Sequence, residues 1–313
     1  MNKLNVLLFG SNGLVGSSLK NILKKSDKVK SIISSSRKDT DLFDLEQTRK
    51  IIEKTEPDVI INAAAKVGGI VANNTQRSEF ILENLKINMN ILESVIPNPK
   101  IKVINLGSSC IYPLNAEIPI KESSVMTGIL EPTNSPYSMA KLSAIEIGRA
   151  ITQQHGHEII NLMPTNLYGP NDYFAKNDSH VIPGLMYRLH MSKLQKDKNF
   201  YIWGTGNPLR EFLHVDDLSN AVEFLIDKET NEDILNVGSG EEVSIKELAN
   251  KLKTVIGYNG DVLYDTTKPD GNPRKLIDTE LLHKLGWERK ISLDAGLKST
   301  YSWFKENFKN LRF

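Results

Sequence analysis

Cysteine is almost missing from this chain: Cys110 is the single one in 313 residues. A lone thiol makes no internal disulfide, which excludes a disulfide-built fold and argues against an oxidising compartment. Histidine is sparse as well, six in all, and too scattered relative to Cys110 for a structural zinc site, so no metal is expected. Net charge nearly vanishes at +1, which removes support for a nucleic-acid surface or a polybasic membrane patch. No apolar run is long enough to cross a bilayer. Met1-Asn2-Lys3-Leu4 leads into a strand-like run with no small-residue cleavage site behind it. Internal repeats and low-complexity segments are missing too. The expectation is a cytoplasmic protein that handles small molecules, with no nucleic-acid or membrane partner.

What is present is alternation. Short apolar runs at 6–9, 31–34, 58–62, 103–106 and 159–162 are separated by helical patterns at 14–25, 45–54, 79–95 and 137–154. Strands alternating with helices imply right-handed crossovers and a parallel sheet covered on both faces. The fold class read from this is α/β, a doubly wound parallel sheet of the Rossmann type. After Tyr168-Gly169-Pro170 the loops lengthen and Gly and Pro recur. Later elements are a helix over 217–226, a strand over 234–237, a helix over 244–256 opened by the capping pair Ser244 and Glu247, a strand over 262–264 and a helix over 293–304. We expect residues 1–167, with segments near 210–240, to form the dinucleotide-binding domain. Residues 168–209 and 241–313 are expected to form a smaller, interleaved substrate lobe.

Between the first strand and first helix lies Gly10-Ser11-Asn12-Gly13-Leu14-Val15-Gly16. Gly10 allows a tight turn, Gly13 lets backbone N–H groups approach a pyrophosphate, and Gly16 lets helix and strand pack closely. The helix N-terminus adds the positive end of its dipole. At the end of the second strand stands Ser34-Ser35-Ser36-Arg37-Lys38 rather than an acidic residue. Hydroxyls and cations there suit a 2′-phosphate, with Arg37 as the fork, so the cofactor read is NADP(H). A solvated basic turn is the plain alternative, and Asp39 and Asp41 just behind leave room for NAD(H).

Tyr137 and Lys141 are four residues apart at a helix start, which stacks them on one face. An ammonium held against the phenol is expected to lower its pKa from the ordinary value. Ser108 emerges at the end of the fourth strand, where ligands meet a doubly wound sheet. Ser108, Tyr137 and Lys141 together read as a carbonyl-reducing site in which Tyr137 moves the proton.

Several longer runs carry a resemblance. They are Ala63-Ala64-Ala65-Lys66-Val67-Gly68-Gly69-Ile70-Val71-Ala72-Asn73-Asn74, Gly107-Ser108-Ser109-Cys110-Ile111-Tyr112-Pro113, Glu131-Pro132-Thr133-Asn134, Pro164-Thr165-Asn166-Leu167-Tyr168-Gly169-Pro170, Ser179-His180-Val181-Ile182-Pro183, Arg210-Glu211-Phe212-Leu213-His214-Val215-Asp216-Asp217 and Lys268-Pro269-Asp270-Gly271. With them the chain resembles the extended short-chain dehydrogenase/reductases over nearly its whole length, and within that family it is similar to the GDP-L-fucose synthases. The resemblance implies epimerisation of GDP-4-keto-6-deoxy-D-mannose at C3 and C5, followed by reduction at C4 with NADPH. It makes Cys110 the base and His180 the acid of epimerisation. It assigns Arg188, Trp203, Arg210 and Asp270 to the GDP-sugar. It implies dinucleotide contacts from Gly10, Asn12, Gly13, Leu14, Val15, Gly16, Arg37, Asp41, Leu42, Ala64, Ala65, Leu106, Lys141, Pro164, Asn166, Leu167 and His180. It also implies a homodimer, for which the helices near 80–95 and 137–154 are candidates.

Read without the resemblance, Cys110 suits a small buried residue, His180 a helix cap and Trp203 a strand-end core position. Arg188 suits a solvated helix residue and Arg210 a surface pair with Glu211. Asn12 stands where some relatives carry a cation, which leaves Arg37 as the main discriminator. His155 and His157 read as surface residues, and His214 as a brace for the loop of Arg210. Two other functions stay open at this point: a C4 reductase for a related GDP-4-keto-6-deoxy sugar or heptose, and a non-catalytic NADP-sensing scaffold.

Overall fold

The computed structural model describes residues 3–175, 179–268 and 270–311, so Met1, Asn2 and the Pro269 of the Lys268–Gly271 run lie outside the described residues. The alternating half consists of β1 (Leu4–Phe9), α1 (Leu14–Leu23), β2 (Val29–Ser35), α2 (Leu45–Thr55), β3 (Val59–Asn62), α3 (Ile70–Thr75), α4 (Arg77–Val95), β4 (Lys102–Leu106), α5 (Ser135–His155) and β5 (Ile159–Pro164). The second half adds β6 (Asn166–Tyr168), α6 (Val181–Gln195), β7 (Asn199–Trp203), β8 (Leu209–His214), α7 (Val215–Leu225), β9 (Ile234–Val237), β10 (Glu242–Ser244), α8 (Ile245–Ile256), β11 (Asp261–Asp265), β12 (Arg274–Lys275), α9 (Glu280–Lys284) and α10 (Leu293–Asn307).

The main sheet is six-stranded and parallel, in the order β2-β1-β3-β4-β5-β9. Its faces follow the strand period of two. Val6 and Leu8 point into one apolar cluster with Leu19, Leu23, Leu218, Val222, Leu282 and Trp287. Leu7 and Phe9 point into another with Ile52, Ile87, Ile91, Val95 and Ile151. The chain leaves β1 in one direction along the sheet to β2, then returns past it to β3. That reversal opens a crevice at the carboxyl ends of β1 and β3, the usual place for a ligand.

A separate cluster holds α6, β7, α8 and α10 together through Ile182, Met186, Leu189, Phe200, Leu248, Leu252, Leu297 and Phe304. Between the two bodies runs β8, parallel to β6 and β12 and antiparallel to β10. The capping pair of α8 forms as expected: Glu247 N donates to Ser244 Oγ and Ser244 N to a Glu247 carboxylate oxygen. The helix expected from residue 217 starts at Val215, because His214 Nδ1 accepts the Asp216 N–H and caps it. His214 is buried with its ring edge-on to Tyr168.

One expectation fails here. His157 is not a surface residue; it is buried, with Nε2 3.3 Å from the Ile96 carbonyl, because the turn after α5 tucks under the end of α4. His155 is exposed, as read.

Candidate active site

The glycine turn is shaped by backbone crowding. Gly10 has φ +75°, and a Cβ there would lie 2.5 Å from the Ala63 carbonyl carbon, where the ends of β1 and β3 meet. A Cβ on Gly16 would lie 2.2 Å from the Gly10 carbonyl oxygen. Gly13 differs: its nearest neighbour would be 3.8 Å away. It is the N-cap of α1 and offers no side-chain cap, which leaves the first N–H groups of the helix addressed to the crevice. Asn12 is exposed beside it, with Leu14 and Val15 half-buried behind.

The turn after β2 is more committed than its sequence implies. Ser35 is buried, and Ser36 donates to Asp39 at 2.6 Å, so these hydroxyls are already engaged or enclosed. Arg37 remains outside with its side chain 74% exposed, its guanidinium 4.9 Å from the Phe43 ring and 4.0 Å from Glu83. Asp41 accepts the Phe43 N–H, and Leu42 is buried beneath it. Ala64 and Ala65 follow β3, Leu106 and Pro164 end β4 and β5, and Asn166 and Leu167 lie in β6, so these positions gather along the carboxyl edge of the sheet.

At the end of β4, Ser108 begins a short 3-10 turn over Ser109–Ile111 and its Oγ accepts the Cys110 N–H at 3.2 Å. Ser138 on α5 donates to the Cys110 carbonyl at 2.9 Å. The backbone of Cys110 is therefore held at both polar atoms, and the residue is half-buried with its thiol free of any disulfide. Glu131 orders the start of α5 by accepting from Thr133 and Asn134 N–H groups, and Arg77 donates to the Pro132 and Thr133 carbonyls. Tyr137 enters from the first turn of α5, edge-on to Phe80. Lys141 is one turn on, as its spacing requires, with Nζ 5.9 Å from the Tyr137 ring centre.

The electrostatics depart from the sequence reading. The Lys141 ammonium turns to the Leu106 carbonyl at 2.7 Å instead of the phenol oxygen. Burial pushes its pKa down to about 8. Burial, and after it the neighbouring Cys110 sulfur, hold the Tyr137 phenol well above its ordinary range; a hydrogen bond with Ser108 works against them. The expected depression of the Tyr137 pKa is thus reversed, since in this pocket both charged forms lose hydration.

His180 sits at the N-cap position of α6, yet its side chain caps nothing. Its ring reaches solvent but is crowded by protein, and that desolvation lowers its pKa. It comes from the second lobe.

The same lobe carries the remaining candidates. Arg188 lies 5.4 Å over Phe200 and, among the described residues, has no carboxylate partner; burial lowers its pKa. Trp203 is 66% exposed at the end of β7, so it is not a core residue. Arg210 does not pair with Glu211. Neighbours on a strand face opposite ways, and Glu211 is fully buried, taking the N–H groups of Ser239, Gly240 and Ile277. Burial lowers the Arg210 pKa and Asp270 opposes it. Asp270 accepts from Thr205 N and Oγ1, which ties its loop to the end of β7. Lys275 escaped the sequence reading, although it follows the Lys268–Gly271 run closely; its Nζ lies 4.0 Å from Cys110 Sγ.

Residues 6–238 match the model of the NAD dependent epimerase/dehydratase family. The chain belongs to this family. Within the epimerase/dehydratase family it is 45% identical to GDP-L-fucose synthase 1 of Arabidopsis thaliana, over 97% of this chain and 94% of that one. It is 42% identical to the GDP-L-fucose synthase of Escherichia coli (strain K12), over 100% of both chains. The crystal structure of a GDP-L-fucose synthetase from Naegleria fowleri bound to NADP superposes with a TM-score of 0.90 at 28% identity, over 100% of this chain and 98% of that one.

Proposed function

We propose that this chain converts GDP-4-keto-6-deoxy-D-mannose to GDP-L-fucose, epimerising C3 and C5 and then reducing the C4 ketone with NADPH. The observation that carries the reading is the contact chain of Ser108, Cys110, Tyr137 and Lys141 at the sheet edge, beside which Arg188 of the second lobe has no carboxylate partner among the described residues. The tight Gly10 and Gly16 turn under an uncapped helix start fits a dinucleotide pyrophosphate, and exposed Arg37 fits a 2′-phosphate. When bound, the dinucleotide supplies the hydride that reduces C4.

The ketone at C4 acidifies the C–H bonds on both neighbouring carbons. Cys110 takes a proton from one ring face, and the His180 imidazolium returns one to the other. Ser108 and Tyr137 hydrogen-bond the enolate oxygen between these steps. A raised pKa suits Tyr137 to this work: it holds its proton at neutral pH and gives it up only to the strongly basic C4 oxygen as reduction proceeds. A lowered pKa makes His180 the readier donor once protonated. Arg188 and Arg210 hold the pyrophosphate, exposed Trp203 offers guanine a stacking face, and Asp270 braces the loop opposite.

The test is incubation with GDP-4-keto-6-deoxy-D-mannose in D₂O without NADPH. Deuterium is expected at C3 and C5 with the native chain and not with Cys110→Ser; no incorporation with the native chain overturns the epimerase reading. Two wider statements belong to the same proposal. A thiol that must stay reduced to act as a base suits the cytoplasm; there, cysteine alkylation in intact cells should find Cys110 free. Leu82 and Met89 on α4 and Met139 on α5 are exposed apolar residues on two packed helices, and a second copy covering them would give a homodimer. Sedimentation of Leu82→Glu combined with Met89→Glu checks this, with a monomer expected.

A further inference from the structure

Lys275 reaches Cys110 from far along the chain, 165 positions away, with its ammonium nitrogen 4.0 Å from the sulfur. Its placement is built. Lys275 lies in β12 in register with Arg210 of β8. Just beyond, the Ile277 N–H is fastened to the buried Glu211 carboxylate, which also grips Ser239 and Gly240. The adjacent Arg274 turns away to pair with Glu242 at 2.6 Å, and Lys275 itself has no carboxylate partner among the described residues. Among the described residues, the Tyr137 phenol from α5 and the Lys275 ammonium from β12 are titratable groups that act on the sulfur. Lys141 is turned from it toward Leu106.

We propose that Lys275 is a positioning residue for Cys110, its ammonium holding the sulfur as thiolate in the orientation from which it takes a ring proton. This deepens the epimerase reading and rests on it. In the step itself the sulfur gains the C–H proton and becomes a neutral thiol, the carbon's electron pair passes into the enolate, and Lys275 keeps its proton throughout.

Because Cys110 is the chain's single cysteine, a neutral alkylating agent reports on it directly. The full chain is treated with iodoacetamide across a pH series and the adduct is followed by mass spectrometry. At about neutral pH, Lys275→Met should alkylate roughly three- to tenfold more slowly than the native chain, the rates should converge at high pH, and Lys275→Arg should restore most of the loss. Equal rates for native chain and Lys275→Met at every pH overturn the proposal. If Lys275→Met does not fold, judged by circular dichroism, Lys275→Gln is read in the same way. Deuterium exchange by the native chain runs alongside. Its absence sinks the epimerase reading, whereas exchange that persists with unaltered alkylation sinks the Lys275 proposal alone.

Discussion

Lys141→Met should change how stability depends on pH. The Lys141 ammonium is buried, its pKa pushed from 10.5 to about 8 by loss of hydration. That fall amounts to a penalty of about 3 kcal/mol on the folded, protonated state. Below the folded value both states hold the proton and the whole penalty is present. Between the folded and unfolded values the unfolded lysine keeps its proton while the folded one sheds it, so stability rises with pH. Taken from about pH 7 to about pH 9.5, the native chain should gain about 2 kcal/mol from this residue. Methionine fills nearly the same volume without a charge, so the variant should lack that gain. It also loses the bond to the Leu106 carbonyl, worth about 1 kcal/mol at every pH, so the pH-dependent difference is cleaner than either absolute value. Urea denaturation followed through the buried Trp287 measures it. Lys141→Arg, which keeps its proton throughout, should also lack the gain. Parallel pH profiles for native chain and both variants would refute the desolvation of Lys141.

Tyr137→Phe should lower NADPH oxidation by at least about 100-fold while leaving NADPH binding by fluorescence titration unchanged, since it removes a proton donor and little volume. Gly16→Ala drives a Cβ to 2.2 Å from the Gly10 carbonyl; calorimetry should find it destabilised by about 1–3 kcal/mol or more. Gly13→Ala, with 3.8 Å of room, should melt normally and lose dinucleotide affinity instead. Arg37→Gln should cut the ratio of kcat/KM for NADPH over NADH by about tenfold, as removal of a charge-assisted contact does; an unchanged ratio assigns the 2′-phosphate to other residues.

Much of the frame was legible because its causes are local. β1 reads clearly since it is buried on both faces. β2, at the sheet edge and only partly buried, reads weakly for the same reason. α6 shows in the sequence only through a cap at His180 and a helical Arg188, because the buried residues Ile182, Pro183, Gly184, Leu185 and Met186 run consecutively and leave no clear polar stripe. β8 was hidden by Arg210 and Glu211, a charged pair that reads as surface, until the structure sends Glu211 inward to three backbone N–H groups. His157 misled similarly, its partner Ile96 being remote in sequence.

The sequence by itself determined the alternating parallel architecture, the glycine turn and the Tyr137–Lys141 pairing, all of which follow from periodicity, chirality and spacing within a few residues. Only the tertiary structure decided the direction of the Tyr137 and Lys141 pKa values, the cation beside Cys110 and the partners of Glu211. Desolvation depends on every atom packed around a group, and β12 meets the loop after β4 only when two lobes distant in sequence have closed on one another.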